Sequence, residues 1–337
     1  MKRLTKTAVG AAAFVALAAS SAMAQKEATV GYQLIYNPWK VAITDGIIEK
    51  ATGYKINWKK FDSGARVITA MASGDVDISL AGSSPIAAGV SRGLPIKLFW
   101  ITENINDAEA LVVRDGSGIT APQDLKGKKI GVPFVSTTHF HTLFALEQFG
   151  IDPKEVNLLN MQPNAIAAAW ERGDIDAAFV WDPALGRIKG SGKVLITSGD
   201  LSNWGKATFD GMVVNNEFAD GNAEFMCQFV KAMAAADGIY RDNPMAFGPD
   251  SDNAKKIVRL VGGEAKDVEV VLALYDFPTL EQQASNTWLG GGSESGAAQA
   301  LKATSEFLKS EKKVDNLLPD YGAVVTDAFA KAALAGC

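Results

Sequence analysis

Four short segments of this chain place a hydrogen-bonding side chain at the start of a helical pattern: Asn37-Pro38, Ser84-Pro85, Ser136-Thr137 and Asp182-Pro183. Asn, Ser, Thr and Asp favour that position because their side-chain oxygens accept from backbone N–H groups of the first turn, and proline's fixed φ suits the first helical residue. Each segment alone reads as an ordinary cap. Together they describe chemistry, because a helix N-terminus presents unpaired donors and partial positive charge. Two such ends facing each other clamp an anion without Arg or Lys. Ser83, Ser84, Thr137 and Thr138 add hydroxyl donors. A sulfonate has three equivalent oxygens and a permanent charge, so it needs donors all round. A cationic group on the same ligand needs carboxylates, and Glu109, Asp182 and Asp210 are the candidates. A lone acid is usually a solvated surface charge, but Asp210 lies in Thr208-Phe209-Asp210-Gly211, just before a strand expected to run back between two lobes. Trp181 and Tyr36 are the aromatic residues expected to wall a pocket and to offer cation–π contact; Trp39 and Phe134 read as core.

Alternating patterns predict the elements that hold these residues. Strands are expected at 29–33, 54–61, 76–80, 96–100 and 110–114, with helices over 38–50 (Asn37 as N-cap), over 65–73 and from Pro85. A second unit follows, with strands at 129–132, 156–160, 176–180, 194–197 and 211–215 and helices over 138–149 and 165–172. The remainder, from Glu217, is mostly helical and amphipathic. Such alternation argues for an α/β fold, in which ligands sit beyond the carboxyl ends of the strands. One motif occurs twice: Gly74-Asp75-Val76-Asp77, a strand and Ser83-Ser84-Pro85, then Gly173-Asp174-Ile175-Asp176, a strand and Trp181-Asp182-Pro183. The echo predicts two lobes of similar architecture facing each other.

The ends bound the setting. Lys2, Arg3 and Lys6 precede an apolar run over 8–19 and an Ala22-Met23-Ala24 cleavage pattern, which together read as a secretory signal peptide over 1–24. The apolar run is short of the roughly 20 residues of a membrane span. Removing the peptide takes the formal net charge from −5 to −8. An acidic chain without a basic run is a poor nucleic-acid binder. Cys227 and Cys337 would sit in an oxidising compartment and could pair, or could remain a buried thiol and a free tail. Two His and two scattered Cys make no metal cluster, and no cofactor is expected. Gly290-Gly291-Gly292 reads as a surface loop rather than a phosphate cradle. Gly89-Val90-Ser91-Arg92-Gly93 matches the elbow of serine hydrolases, but it falls near the end of a helix instead of at a strand-to-helix turn. An enzyme is therefore not expected.

The chain resembles the taurine-binding periplasmic subunits of ABC importers, within the wider group of nitrate, sulfonate and thiamine-precursor binding proteins. The resemblance is densest in Val30-Gly31-Tyr32-Gln33, Trp58-Lys59-Lys60-Phe61-Asp62-Ser63-Gly64, Ala81-Gly82-Ser83-Ser84-Pro85, Glu109-Ala110-Leu111-Val112-Val113 and Val132-Pro133-Phe134-Val135-Ser136-Thr137-Thr138-His139. It implies a type II periplasmic binding protein fold, a periplasmic monomer that hands a small ligand to an inner-membrane ABC permease. It implies a discontinuous first lobe over 25–112 and 214–337, and a second over 113–213. It also implies that Gln33, Asn37, Ser83, Ser84, Thr138, His139, Trp181 and Asp210 sit near the cleft. Two positions depart from the pattern: Asn37 stands where an acidic residue is common, and Asp182 where a small one is. The ligand class so implied is taurine, with another alkanesulfonate or nitrate as the alternative.

Overall fold

A computed structural model of the chain describes residues 25–337; the signal peptide expected over 1–24 lies outside the described residues. Ten strands form two five-stranded sheets. The first contains β1 (Glu27–Gln33), β2 (Lys55–Phe61), β3 (Ile78–Gly82), β4 (Ile96–Asn104) and β10 (Phe209–Asn215), in the order β2-β1-β3-β10-β4. The second contains β5 (Glu109–Arg114), β6 (Lys129–Val132), β7 (Asn157–Asn160), β8 (Ala177–Trp181) and β9 (Gly192–Thr197), in the order β7-β6-β8-β5-β9. Three parallel strands open each sheet, and the fourth in order runs antiparallel to both its neighbours.

The repeated motif maps onto this symmetry. Strands β3 and β8, which follow the two Gly-Asp-x-Asp turns, hold the same central place in their sheets. Every residue of both is buried, as expected of strands covered on both faces. The antiparallel strands are the crossovers: β5 enters the second sheet and β10 returns to the first. The chain changes lobe between Asn104 and Glu109, and again between Thr197 and Phe209. The lobe boundaries expected at 112/113 and 213/214 fall inside β5 and β10, because hydrophobic runs mark a strand without saying which sheet it joins.

The helices that matter for the site are α1 (Lys40–Thr44), α2 (Gly64–Ala72), α3 (Ser83–Ser91), α4 (Thr137–Gln148), α5 (Ala184–Lys189) and α6 (Ser198–Asn203). In the first lobe, α7 (Ala223–Asp242), α8 (Gly296–Ser310) and α9 (Ala328–Ala335) pack behind the sheet. The single helix expected over 38–50 is two short ones, broken at Gly46, whose φ of 62° lies in the left-handed region. Asn37 does not cap it. Trp39 holds that place, and the Asn37 side chain turns inward. Ser84 is likewise the second residue of α3 rather than its cap, which is Gly82. Ser91 of the hydrolase-like pattern is buried near the end of α3 and bonded to Ser305 and Tyr321, so no nucleophile is exposed there. Cys227 of α7 and Cys337 form a disulfide with their Cα atoms 6.4 Å apart, which resolves the two alternatives open in the sequence.

Candidate functional site

Between the carboxyl edges of the two sheets lies a narrow cleft lined by both lobes. The first lobe contributes Gln33, Ile35, Gly64, Gly82, Pro85, Asp210 and Tyr275. The second contributes Glu109, Ser136, Thr137 and Trp181, and Ile105 comes from the connection. The lobes are in contact around it. A Cβ on Gly82 would stand 2.8 Å from the Thr137 methyl carbon and 3.1 Å from Asp210 Oδ1. This is a closed arrangement.

Three helix N-termini converge on the cavity. A Cβ on Gly64 would come within 2.6 Å of Pro85 Cγ and 3.4 Å of the Gly82 nitrogen, so the first turns of α2 and α3 touch. Across the gap, α4 starts at Thr137 with Ser136 as its cap. Neither Ser63, at the N-cap of α2, nor Ser84 uses its hydroxyl for capping. Both oxygens are buried without a partner, as is the indole nitrogen of Trp181. Buried polar groups are normally bonded. Ser63 and Ser84 thus leave unpaired donors at the first turns of α2 and α3.

Acceptors gather around Asp210. It sits opposite Glu103 in the β10–β4 pairing, where a register shift adds Thr102 as an extra residue on β4 and such irregularities re-aim side chains. Burial pushes the Asp210 carboxyl above its usual range, opposed by a hydrogen bond with Glu103 and by the Lys40 charge. Burial, and then the Asp210 charge, push Glu103 up much further. Gln33 gives an amide hydrogen to the Leu80 carbonyl at 3.3 Å.

Glu109 opens a hydrogen-bonded chain through the second lobe. Thr137 Oγ1 donates to its Oε1 at 2.5 Å, and Ser198 Oγ, at the start of α6, lies 3.1 Å from its Oε2. Ser198 Oγ also lies 2.7 Å from His141 Nδ1, and His141 Nε2 lies 2.7 Å from the Lys206 carbonyl. That carbonyl only accepts, so Nε2 carries a proton. Ser198 has one proton for two bonds, so a further one must lie on Glu109 or on His141 Nδ1. Burial favours the uncharged forms: it raises Glu109 to about 8, with the Asp210 charge adding to it, and lowers His141 to about 4. These shifts favour the further proton on Glu109 over His141 Nδ1.

Of the residues expected at the site, Gln33, Glu109, Thr137, Trp181 and Asp210 line the cavity. The others do not. Asn37 is fully buried behind Asp210. Tyr36 donates its hydroxyl to the Gly262 carbonyl at 3.4 Å. Ser83 accepts from the Phe209 nitrogen at 3.5 Å. Ser84 is buried with its hydroxyl unpaired, between Gly82 and Pro85, which do line the cavity. Thr138 Oγ1 pairs with Ser136 Oγ at 2.8 Å. The His139 ring stacks on Phe134, its Nδ1 accepts from the Val135 nitrogen, and burial lowers it to about 4. Asp182 accepts from the Gly186 nitrogen at 2.9 Å, closing the first turn of α5 instead of facing a ligand. The sequence reading missed Ser63, Gly64, Pro85 as a wall, and Tyr275. Phe61-Asp62-Ser63-Gly64 carried a usable signal, a polar residue and a glycine between strand and helix. Tyr275 lies in a helical region far along the chain, and nothing local places it here.

Comparisons with known proteins bear on the family and the fold. The family model described as NMT1/THI5 like matches residues 50–247. The chain is 40% identical over 323 residues to the taurine-binding periplasmic protein of Escherichia coli strain K12, covering 96% of this chain and 97% of that one. Its fold is similar to the crystal structure of the periplasmic aliphatic sulphonate binding protein SsuA of Escherichia coli, with a TM-score of 0.71 at 20% identity over 91% of this chain and 99% of that one. The desulfurization enzyme DSZB shares the architecture at a TM-score of 0.63 and 16% identity, covering 92% of this chain and 99% of that one, so the fold by itself admits catalysts. On the family model and on the similarity along nearly its whole length, the chain belongs to the NMT1/THI5-like family, alongside the periplasmic taurine-binding protein.

Proposed function

We propose that this protein captures taurine in the periplasm and delivers it to the permease of an ABC importer. The reading rests on one feature of the cavity: the Asp210 acceptor and orphan donors at convergent helix N-termini gather around the same space. Taurine is a zwitterion with those two needs. Its ammonium would meet the Asp210 carboxylate, with Gln33 and the carbonyl oxygen of neutral Glu109 as further acceptors. Its sulfonate would take hydroxyls of Ser63 and Ser84, the Trp181 indole N–H and backbone N–H groups of α2, α3 and α4. Because these groups come from both lobes, the ligand favours the closed form, which would be the state the permease recognises. Export through a cleaved 1–24 segment and action as a monomer belong to the same proposal. A binding role rather than catalysis fits a site whose polar groups are arranged to hold charge and whose two thiols are joined to each other far from it.

Calorimetric titration tests the assignment with taurine, ethanesulfonate, isethionate, nitrate and β-alanine. Taurine should bind most tightly. Asp210→Asn should weaken taurine by at least about tenfold while changing ethanesulfonate by less than about threefold. Equal losses for both ligands, or none, would contradict the placement of the amine.

A further inference from the structure

Behind the cavity wall, three wholly buried polar side chains run from Lys40 to Asp210, and none of them lines the cavity. We infer that Lys40 and Asn37, acting through Glu103, are positioning residues that fix which way Asp210 is hydrogen-bonded and so keep it ready for a ligand cation. The inference rests on the reading of Asp210 as the amine partner.

The argument is a count of protons. As an ammonium, Lys40 Nζ can only donate, and it lies 2.6 Å from Asn37 Oδ1; burial pushes it down to about 7, opposed by the charges of Glu103, Asp210 and Asp237. The Asn37 amide is therefore turned with its Nδ2 away from Lys40. That nitrogen donates to Glu103 Oε1 at 2.6 Å, which makes Oε1 an acceptor. Glu103 Oε2 is buried and receives no hydrogen bond from any donor. The Asp210 carboxylate is its partner across the β4–β10 pair. Two carboxyl groups bond only through a proton; burial, and then the Asp210 charge, raise Glu103 further than burial raises Asp210, which puts the proton on Glu103, and with Oε1 already accepting from Asn37 it sits on Oε2 facing Asp210. Lys40 thus sets the Asn37 amide, and through it which Glu103 oxygen accepts and which is left to face Asp210. Asp210 accepts from Glu103 and offers its remaining lone pairs to the cavity.

The surroundings keep Lys40 in place. The Trp39 ring centroid lies 4.5 Å from its Nζ and that of Tyr32 lies 5.7 Å away, so aromatic faces help to hold a charge stripped of water. The Asp237 carboxylate of α7 is a further charge acting on Lys40, with Arg241 behind it. Without the lysine, the Asn37 amide is free to turn its oxygen toward Glu103. The Glu103 proton can then go to Asn37, Asp210 faces a lone pair, and it takes up a proton of its own. A protonated Asp210 cannot balance an ammonium ion.

The test uses Lys40→Met, Glu103→Leu and Glu103→Gln in the full mature chain, titrated with taurine and with ethanesulfonate and melted by circular dichroism. Lys40→Met and Glu103→Leu should each weaken taurine by about tenfold or more while ethanesulfonate stays within about threefold of the wild type. Glu103→Gln should restore most of the loss, because its amide accepts from Asn37 and donates to Asp210 as the protonated acid does. An infrared difference spectrum of the ligand-free protein at pH 7 should show a neutral carboxyl band in the wild type that Glu103→Gln removes. The inference is overturned if Glu103→Gln is as damaging as Glu103→Leu, if Lys40→Met weakens both ligands equally, or if no such band is lost. Failure of the wild type to bind taurine would overturn the functional reading instead, and the infrared band would still decide where the proton lies.

Discussion

At the scale of single residues, two acids in one cavity are held in different states by what lies behind them. Asp210 accepts from Glu103 and stays a carboxylate. Glu109 is bonded by Thr137 and Ser198, and burial pushes it up to about 8. This difference has a consequence for stability. Glu109 ionises near pH 4.5 in the unfolded chain and about pH 8 in the fold. The folded state holds the extra proton between those limits, so its contribution is complete below pH 4.5 and is lost as the pH rises toward 8. His139 and His141, lowered to about 4, act in the opposite sense, but only below their ordinary value of 6.5. From pH 6.5 to 8 the Glu109 contribution therefore stands clear of the histidines. It costs about 1.4 kcal/mol per pH unit, or about 2 kcal/mol across the window. Urea unfolding at the two pH values should show wild type losing that much more than Glu109→Gln; equal losses would contradict a neutral Glu109.

At the scale of elements, the proposed anion site is made of helix ends, and the sequence announced some of those more clearly than others. Ser136-Thr137 is a true start, with Ser136 Oγ accepting from the His139 nitrogen. Asn37-Pro38 looked the same and is not, because Lys40, Asn37 and Glu103 satisfy one another in the interior and no side-chain cap is left over. Capping statistics are local, whereas the partner of Asn37 lies 66 residues away. The strands and the repeated Gly-Asp-x-Asp turn were legible because their hydrophobic pattern is local too. Their pairing partners were not, which is why the lobe boundaries expected within 109–114 and 209–215 missed the change of sheet. The contact of Gly82 with Thr137 is another thing only the fold can show. Gly82 caps α3 in the first lobe and faces the first residue of α4 in the second. A methyl group there meets the Thr137 methyl across the gap and also presses on Asp210 Oδ1, so it opposes both closure and the amine contact. Gly82→Ala should weaken taurine by about tenfold or more and leave the ligand-free melting temperature within a few degrees. Unchanged affinity would mean that closure does not bring these turns together.

At the scale of the molecule, the two sheets are the same arrangement used twice, each with its third parallel strand delivering a helix N-terminus or a polar loop to the shared cavity. The crossover strands carry Glu109 and Asp210, so the two acids sit where the lobes are joined. The disulfide between α7 and the chain end ties the last helix of the first lobe to its core, 110 residues apart in sequence. It lies in the lobe that holds Lys40, Glu103 and Asp210, away from the moving edge. A ligand that bridges the edges stabilises the closed form by its contacts with both, and a zwitterion does so with opposite charges. The most direct test is a crystal structure of the taurine complex. It should place the nitrogen within hydrogen-bonding distance of Asp210, and the sulfonate oxygens on Ser63, Ser84 and the first turns of α2, α3 and α4. A reversed ligand, or one touching a single lobe, would contradict the account.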